Sequence, residues 1–223
     1  MTDLNQALTR AASQMGLSLT DPQIQALLDY QALIVKWNKV YNLTSVRDPA
    51  EMLTHHLLDS LAVIAPLLKH TQGKAARVLD VGSGAGLPGT VLAIVCPELD
   101  VTCVDTVAKK AAFIQNTALT LKLPNLRGVH ARVEEMQAEP FDVVTSRAFS
   151  SLVDFVTLTK FHVKQPEGEK PGGVWMAMKG KHPADELAAL PKDVDVFHVE
   201  PLQVPGLGAE RCLVWMRPGA PVA

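Results

Sequence analysis

The chain has 223 residues, 48% hydrophobic and 20% charged, with a formal net charge of −2. That balance suits one large domain, or one domain with a small appendage, and it excludes general disorder. It also excludes a globally basic nucleic-acid binder, and no apolar run approaches the roughly 18 residues of a membrane span. Cys96, Cys103 and Cys212 show no CxxC or metal-ligand spacing and read as buried thiols in a reducing compartment. The N-terminus, with Asp3, Asn5 and Gln6, lacks the basic-then-apolar layout of a signal peptide. The expectation is a cytoplasmic protein, working as a monomer.

Residues 1–70 read as a helical cap. Leu4, Ala7, Leu8, Ala11, Ala12 and Met15 recur at helical spacing, with Gly16 as a stop. Thr20 and Gln23 have capping-box spacing and Pro22 suits a first turn. The helix they open carries Ile24, Leu27, Leu28, Ile34 and Val35 towards Trp37. A third helix, expected over 49–68, sets Leu53, Leu57, Leu61, Ile64 and Leu68 on one face. His55 with Asp59, and His56 with Ser60, fall four apart on its polar flank. A polar stretch, Lys69 to Ala75, leads into the second unit, 71–223.

That unit opens on Val78-Leu79-Asp80-Val81-Gly82-Ser83-Gly84-Ala85-Gly86-Leu87-Pro88-Gly89. A short apolar run ends in spaced glycines and a helical pattern follows from Thr90 to Val95. This is the strand, glycine turn and helix of an α/β nucleotide fold. Glycine serves there because a Cβ blocks a φ > 0 turn or the close approach of backbone to ligand. Asp80 stands at the strand end, where a dinucleotide's pyrophosphate would be repelled by its charge and a ligand with an ammonium or sulfonium group would not. Asp105 closes the next apolar run, where a carboxylate can accept both hydroxyls of an adenosine ribose. Together the two acids favour S-adenosylmethionine over NAD.

Strand patterns at 76–81, 100–105, 126–130, 141–146 and 173–178 alternate with helical ones near 88–95, 107–122, 150–162 and 183–190. Such alternation builds a parallel, doubly wound sheet. The last two strand runs, 194–199 and 211–217, are joined by a loop containing Pro201, Pro205, Gly206 and Gly208, too short for a crossover helix, so they should pair antiparallel. A mostly parallel seven-stranded, Rossmann-like α/β sheet finished by an antiparallel hairpin, with an N-terminal helical extension, is the pattern of class I S-adenosylmethionine-dependent methyltransferases. The segment Gln165 to Gly173 reads as a flexible polar loop.

Ligands of these sheets bind beyond the carboxyl ends of the strands. Val133 and Glu134 follow the third strand, where an apolar side chain can lie on an adenine and a backbone N–H can meet a ring nitrogen; ordinary helix-start residues would look the same. Arg147 follows the fourth strand and suits a phosphate, a base edge or the cofactor carboxylate, a structural salt bridge being the alternative. The fourth strand ends Ser146-Arg147-Ala148-Phe149, without the Asn/Asp-Pro-Pro-aromatic motif of many amino-group methyltransferases, and no Pro-Cys nucleophile is present. An acceptor with a free lone pair, such as guanine N7, then needs mainly in-line positioning in dry surroundings.

Over most of its length the chain resembles the bacterial 16S ribosomal RNA guanine-N7 methyltransferases, the RsmG or GidB family. The resemblance rests on Trp37-Asn38-Lys39-Val40-Tyr41-Asn42-Leu43-Thr44, on His56-Leu57-Leu58-Asp59-Ser60-Leu61, and on the glycine loop through Leu87-Pro88-Gly89. It continues through Arg132-Val133-Glu134-Glu135, Ser146-Arg147-Ala148-Phe149 and Met178-Lys179-Gly180. It implies S-adenosylmethionine held at Gly82, Leu87, Val133, Glu134 and Arg147, beside Asp80, Gly84, Gly86 and Asp105, and methyl transfer to a guanine near the decoding centre of the small ribosomal subunit. Arg147 is the candidate catalytic residue, with no dedicated base. Trp37, Asn38 and Asn42 are candidates to stack on and read a flipped guanine, or else a helix anchor and caps; His56 and Lys179 join them as candidate substrate contacts. The 165–173 loop is longer than the family's usual one.

Lys160, Lys164, Lys170, Lys179 and Lys181, against Glu167 and Glu169, form one cationic stretch, and Lys36, Lys39 and Arg47 a second. Either is an RNA face or simply a solvated one. The paired histidines lack a third ligand, so no metal is expected. Two rival readings stand beside this one: a methyltransferase for a non-RNA acceptor, and a ribosome assembly factor that binds S-adenosylmethionine without transferring methyl.

Overall fold

The computed structural model describes residues 2–168 and 171–219; Glu169 and Lys170 of the lysine-rich stretch lie outside the described residues. Helices α1 (Thr2–Gln14) and α2 (Asp21–Tyr41) form the start of the extension. The capping box of α2 is present: the Thr20 N–H donates to Gln23 Oε1 at 2.9 Å and the Gln23 N–H to Thr20 Oγ1 at 3.4 Å. The same Gln23 side chain donates through Nε2 to the Val95 carbonyl at 2.9 Å, tying the helix start to the sheet unit. The helix stops at Asn42, whose φ of 48° is left-handed.

The continuous helix expected over 49–68 is broken. Short α3 (Pro49–Met52) runs into a π-helical turn (Leu53–Leu58), then α4 (Asp59–Leu61) and, after a further break, α5 (Ile64–Thr71). The Asp59 N–H bonds to Thr54 O and His56 O instead of to His55 O, four residues back, and the turn widens. Of the expected apolar face, Leu53, Leu57, Leu61 and Ile64 are buried and Leu68, past the second break, is partly buried.

From β1 (Ala76–Val81) the chain alternates through α6 (Gly89–Val95), β2 (Leu99–Asp105), α7 (Ala108–Thr120), β3 (Leu126–His130), β4 (Val143–Arg147), α8 (Leu152–Thr159), β5 (Val174–Lys179) and α9 (Ala184–Ala188), ending in β6 (Val194–Pro201) and β7 (Cys212–Pro218). The seven strands lie in the order β3-β2-β1-β4-β5-β7-β6. Pairs among β1 to β5 are parallel, whereas β7 runs antiparallel to both β5 and β6. The fourth strand begins later than expected because Phe141 forms an isolated bridge to Val163 and is not part of the ladder.

Each face of the sheet has its own core. On one side Val78, Val101 and Met176 pack with α6, α7 and the helical extension, including Leu27, Tyr30, Leu57 and Leu61, in one cluster. On the other, Leu79, Val144, Trp175 and Val214 pack with Phe155 of α8. Burial of a Leu57 or Leu61, both 0% exposed, stabilises the fold by about 2 kcal/mol each. The change in chain pattern near residue 70 is thus spanned by one continuous core. No described helix is long and apolar enough to cross a membrane.

Candidate active site

The carboxyl ends of β1, β2 and β4 open onto one rim of the sheet, and the π-helical turn closes over it. Two concavities meet there at Gly82. The first, about 490 Å³, is lined by Thr44, His56, Arg147, Lys179 and Arg211. The second, about 370 Å³, is lined by Asp105, Lys110, Ala131, Val133, Glu134 and Phe149. Both volumes fall in the range of small-ligand sites.

The glycine loop separates the two. Gly82, Gly84 and Gly86 have φ of 66°, 59° and 88°, all left-handed. The Gly82 N–H donates to Val104 O at 2.9 Å, and the Gly84 N–H to Asp105 Oδ2 at 2.9 Å. Asp105 Oδ1 accepts from the Val107 N–H at 2.8 Å, so each carboxylate oxygen retains a lone pair. The far side of the loop is held from the helical extension, where the Tyr30 hydroxyl donates to Ala85 O at 2.6 Å and lies 3.2 Å from Gly86 O. Burial pushes the Tyr30 phenol well up, which keeps that donor protonated. A Cβ at Gly84 would meet nothing within 4 Å, whereas one at Gly86 would run into Thr90 and Ile114. The loop is therefore packed on one side and open on the other.

Asp80 is 0% exposed and does not line either concavity. Its Oδ2 accepts from the Gly89 N–H at 2.8 Å, at the start of α6, while Oδ1 has no partner among the described residues. The sequence points to a cationic or hydrogen-bonding partner, with capping of a turn as the alternative; the geometry gives a hydrogen bond that puts this carboxylate under the loop, bracing its exit into α6. Burial pushes its pKa up to about 7, offset in part by the Gly89 N–H and the Arg147 charge. The folded chain then holds a proton on Asp80, between the ordinary 3.8 and about 7, that the unfolded chain has released. Stability from this group therefore falls as pH rises through that window. In Asp80→Asn the Gly89 acceptor is kept and the titration is gone. Thermal midpoints from about pH 5 to about pH 8 should fall more steeply in the parent than in the variant; parallel curves would show that Asp80 does not titrate there.

Arg147 reaches from the end of β4 to the helical extension. Its Nη1 donates to His55 O at 2.8 Å and to Asp59 Oδ2 at 3.0 Å. The His55 carbonyl is available because the π-helical turn diverts the Asp59 N–H elsewhere. Asp59 Oδ1 accepts from Arg211 Nε at 2.8 Å, so one buried carboxylate bridges two arginines. The sequence makes neither Asp59 nor Arg211 a candidate site residue. Asp59 stands out in the sequence through its place on the polar flank and in the His56–Leu61 segment, neither of which names a partner, and Arg211 is separated from it by 152 positions. His56 lines the same cleft with Nε2 2.8 Å from Thr44 Oγ1, and burial lowers its pKa, keeping it neutral. Lys179 is also at the cleft, paired with Glu186 at 2.8 Å.

The other expected residues divide. Leu87 lines the first concavity, and Val133 and Glu134 the second. Val133 is 6% exposed, and its carbonyl lies 2.6 Å from His162 Nε2. Glu134 pairs with Arg132, which helps hold its carboxyl below the usual range after its own backbone N–H. Trp37, Asn38 and Asn42 line neither concavity. Trp37 packs edge-on against Phe113 of α7, centroids 5.3 Å apart, as a helix anchor. Asn38 is 3% exposed and accepts the Thr44 N–H at 3.0 Å, while Asn42 caps α2 and accepts from Arg47 at 3.2 Å. In the lysine-rich stretch, Lys164 pairs with Asp142 at 2.6 Å and Lys160 lies over the Phe161 ring. Among the described residues no group of three or more His, Cys, Asp or Glu is placed to hold a metal ion.

A seven-stranded sheet in this order, with a glycine turn after its first strand and an acid closing its second, defines a class I methyltransferase. Two solved structures share the fold: TrmN from Thermus thermophilus, at TM-score 0.53 and 19% identity, covering 74% of this chain and 53% of that one, and an S-adenosylmethionine-dependent methyltransferase from Aquifex aeolicus, at TM-score 0.54 and 18% identity, covering 78% and 96%. The family is settled by sequence. The GidB model, described as rRNA small subunit methyltransferase G, matches residues 23–214. The chain is 62% identical to the ribosomal RNA small subunit methyltransferase G of Acidovorax ebreus, over 98% of this chain and 97% of that protein. It is 60% identical to that of Polaromonas naphthalenivorans, over 97% and 96%. The chain belongs to the rRNA small subunit methyltransferase G family.

Proposed function

We propose that the chain transfers the methyl group of S-adenosylmethionine to N7 of a guanine in 16S rRNA, near the decoding centre of the small subunit. The observation that carries this reading is the pair of concavities joined at Gly82, one suited to an adenosine and the other to an acceptor base. The cofactor fits the residues present: left-handed Gly82 and Gly84 leave space where a Cβ would project, and Asp105 keeps free lone pairs at the end of β2. S-adenosylmethionine, when bound, supplies an electrophilic methyl on a sulfonium.

Asp105 would accept the ribose hydroxyls, Val133 would cover the adenine, and the Glu134 backbone N–H would serve a ring nitrogen, all three lining the second concavity. Arg147, fixed by Asp59 and the His55 carbonyl, orients the group between the two concavities. With the cofactor bound, the guanine N7 lone pair would form the new N–C bond as the methyl–sulfur bond breaks, the positive charge passing to the base. No proton leaves in this step, so positioning and exclusion of water are the requirements. A neutral His56 and a Lys179 neutralised by Glu186 suit such a site.

The test is methyl transfer from labelled S-adenosylmethionine to small subunits lacking the modification, followed by borohydride and aniline, which cut RNA at N7-methylguanine. A single new break near the decoding centre is expected. Label in RNA without a break would overturn the N7 assignment, and label in protein alone would overturn the RNA acceptor.

A further inference from the structure

A second groove, about 620 Å³, adjoins the acceptor cleft and shares Gly180 and Arg211 with it. It runs between the segment after β5, with Lys181 and His182, and the β6–β7 loop, with Gln203 and Glu210. The loop is held at both ends of its span. The Leu202 N–H donates to Arg211 O at 2.8 Å across its neck, and Gly206 faces Thr54 of the π-helical turn with room for a Cβ between them. Leu202 and Leu207 are buried beneath it. Arg211 is thus on a fixed frame, and Asp59 fixes its side chain through Nε. Its Nη1 donates to the neighbouring Glu210 carbonyl at 2.9 Å, while Nη2 has no hydrogen-bond partner among the described residues, on a side chain that lines both grooves. Among the described residues Lys181 has no ion-pair partner within 4.0 Å, and Asp59 carries one negative charge against two guanidiniums.

We infer that Arg211 is an RNA-anchoring residue and that this groove takes the phosphodiester strand flanking the target guanine. The inference rests on the proposed RNA acceptor. A base entering the acceptor cleft brings its two flanking phosphates to the cleft mouth, and the groove is the continuous exit at which a planar, pre-oriented guanidinium stands. Asp59 acts as a positioning residue: it sets the plane of the Arg211 fork while holding Arg147 on the cleft side. Glu210 opposes an anion in the same groove, so its charge is a built-in counter-test.

The experiment compares binding of unmodified small subunits, and separately of deproteinised 16S rRNA, to the parent chain, Arg211→Ala, Arg211→Lys, Lys181→Ala and Glu210→Gln over a range of salt. Arg211→Ala should weaken both RNA-containing ligands about 10-fold and lower the slope of log affinity against log salt by about 1. Arg211→Lys should restore the slope but only part of the affinity, Lys181→Ala should weaken binding, and Glu210→Gln should tighten it. In turnover, the Arg211→Ala loss should fall more on KM for the subunit than on kcat, with S-adenosylmethionine affinity retained. An unchanged salt slope, or a loss confined to S-adenosylmethionine affinity, overturns the inference. Loss of subunit binding with rRNA binding intact also overturns it and makes the partner a ribosomal protein. If the parent chain itself binds neither ligand, the proposed RNA acceptor fails instead.

Discussion

Replacing Gly82 by aspartate should abolish S-adenosylmethionine binding while the chain stays folded. Gly82 is the residue at which both concavities meet, with φ of 66°. A Cβ there approaches only Phe149 Cδ2, at 4.0 Å, so the backbone frame tolerates an added atom apart from the strain of the left-handed conformation. A carboxylate does more: it projects into the passage between the two concavities and sets a second negative charge beside Asp105. Calorimetric titration with S-adenosylmethionine and S-adenosylhomocysteine, alongside thermal unfolding, separates the two effects. Gly82→Ala should show intermediate affinity. Normal affinity in the aspartate variant would move the cofactor elsewhere.

Arg147→Ala should lower kcat/KM on the order of 100-fold, the cost of misplacing reacting groups. Arg147 lies 21% exposed at the acceptor cleft and spends Nη1 on His55 O and Asp59. Its removal leaves Asp59 with Arg211 alone, and a partly unpaired buried carboxylate costs about 2 kcal/mol of stability. Activity is therefore read at a temperature well below both thermal midpoints. Arg147→Lys retains the charge but not the planar fork, so recovery of stability without activity points to the fork's geometry. Turnover equal to the parent's would remove Arg147 from the machinery.

The elements that were legible in the sequence are those with local causes. The capping box at Thr20 and Gln23, the glycine turn after β1 and the alternating apolar runs each depend on residues a few positions apart, where backbone sterics and burial periodicity act directly. Leu87, Val133, Glu134 and Arg147 were legible as cleft residues because strand ends in such sheets point to one rim. For Trp37, Asn38 and Asn42 the residue types leave two readings open, base contacts or a helix anchor and caps, and the packing shows the anchor and caps. Their partners are Phe113, Thr44 and Arg47, and a single-residue pattern cannot say which of two polar or aromatic surfaces a side chain will meet.

The sequence by itself determined the order of the elements, the seven strands, the position of the cofactor loop and the acid that closes the second strand. Tertiary structure alone decided that Asp80 lies under the loop, that the helix after Asp48 widens into a π-helical turn, and that Asp59 joins Arg147 to Arg211. Those features depend on which groups compete for one N–H, one carbonyl or one carboxylate once distant segments are packed together. Buried polar groups take the partners that folding brings within reach, and that choice has no local signature in the chain.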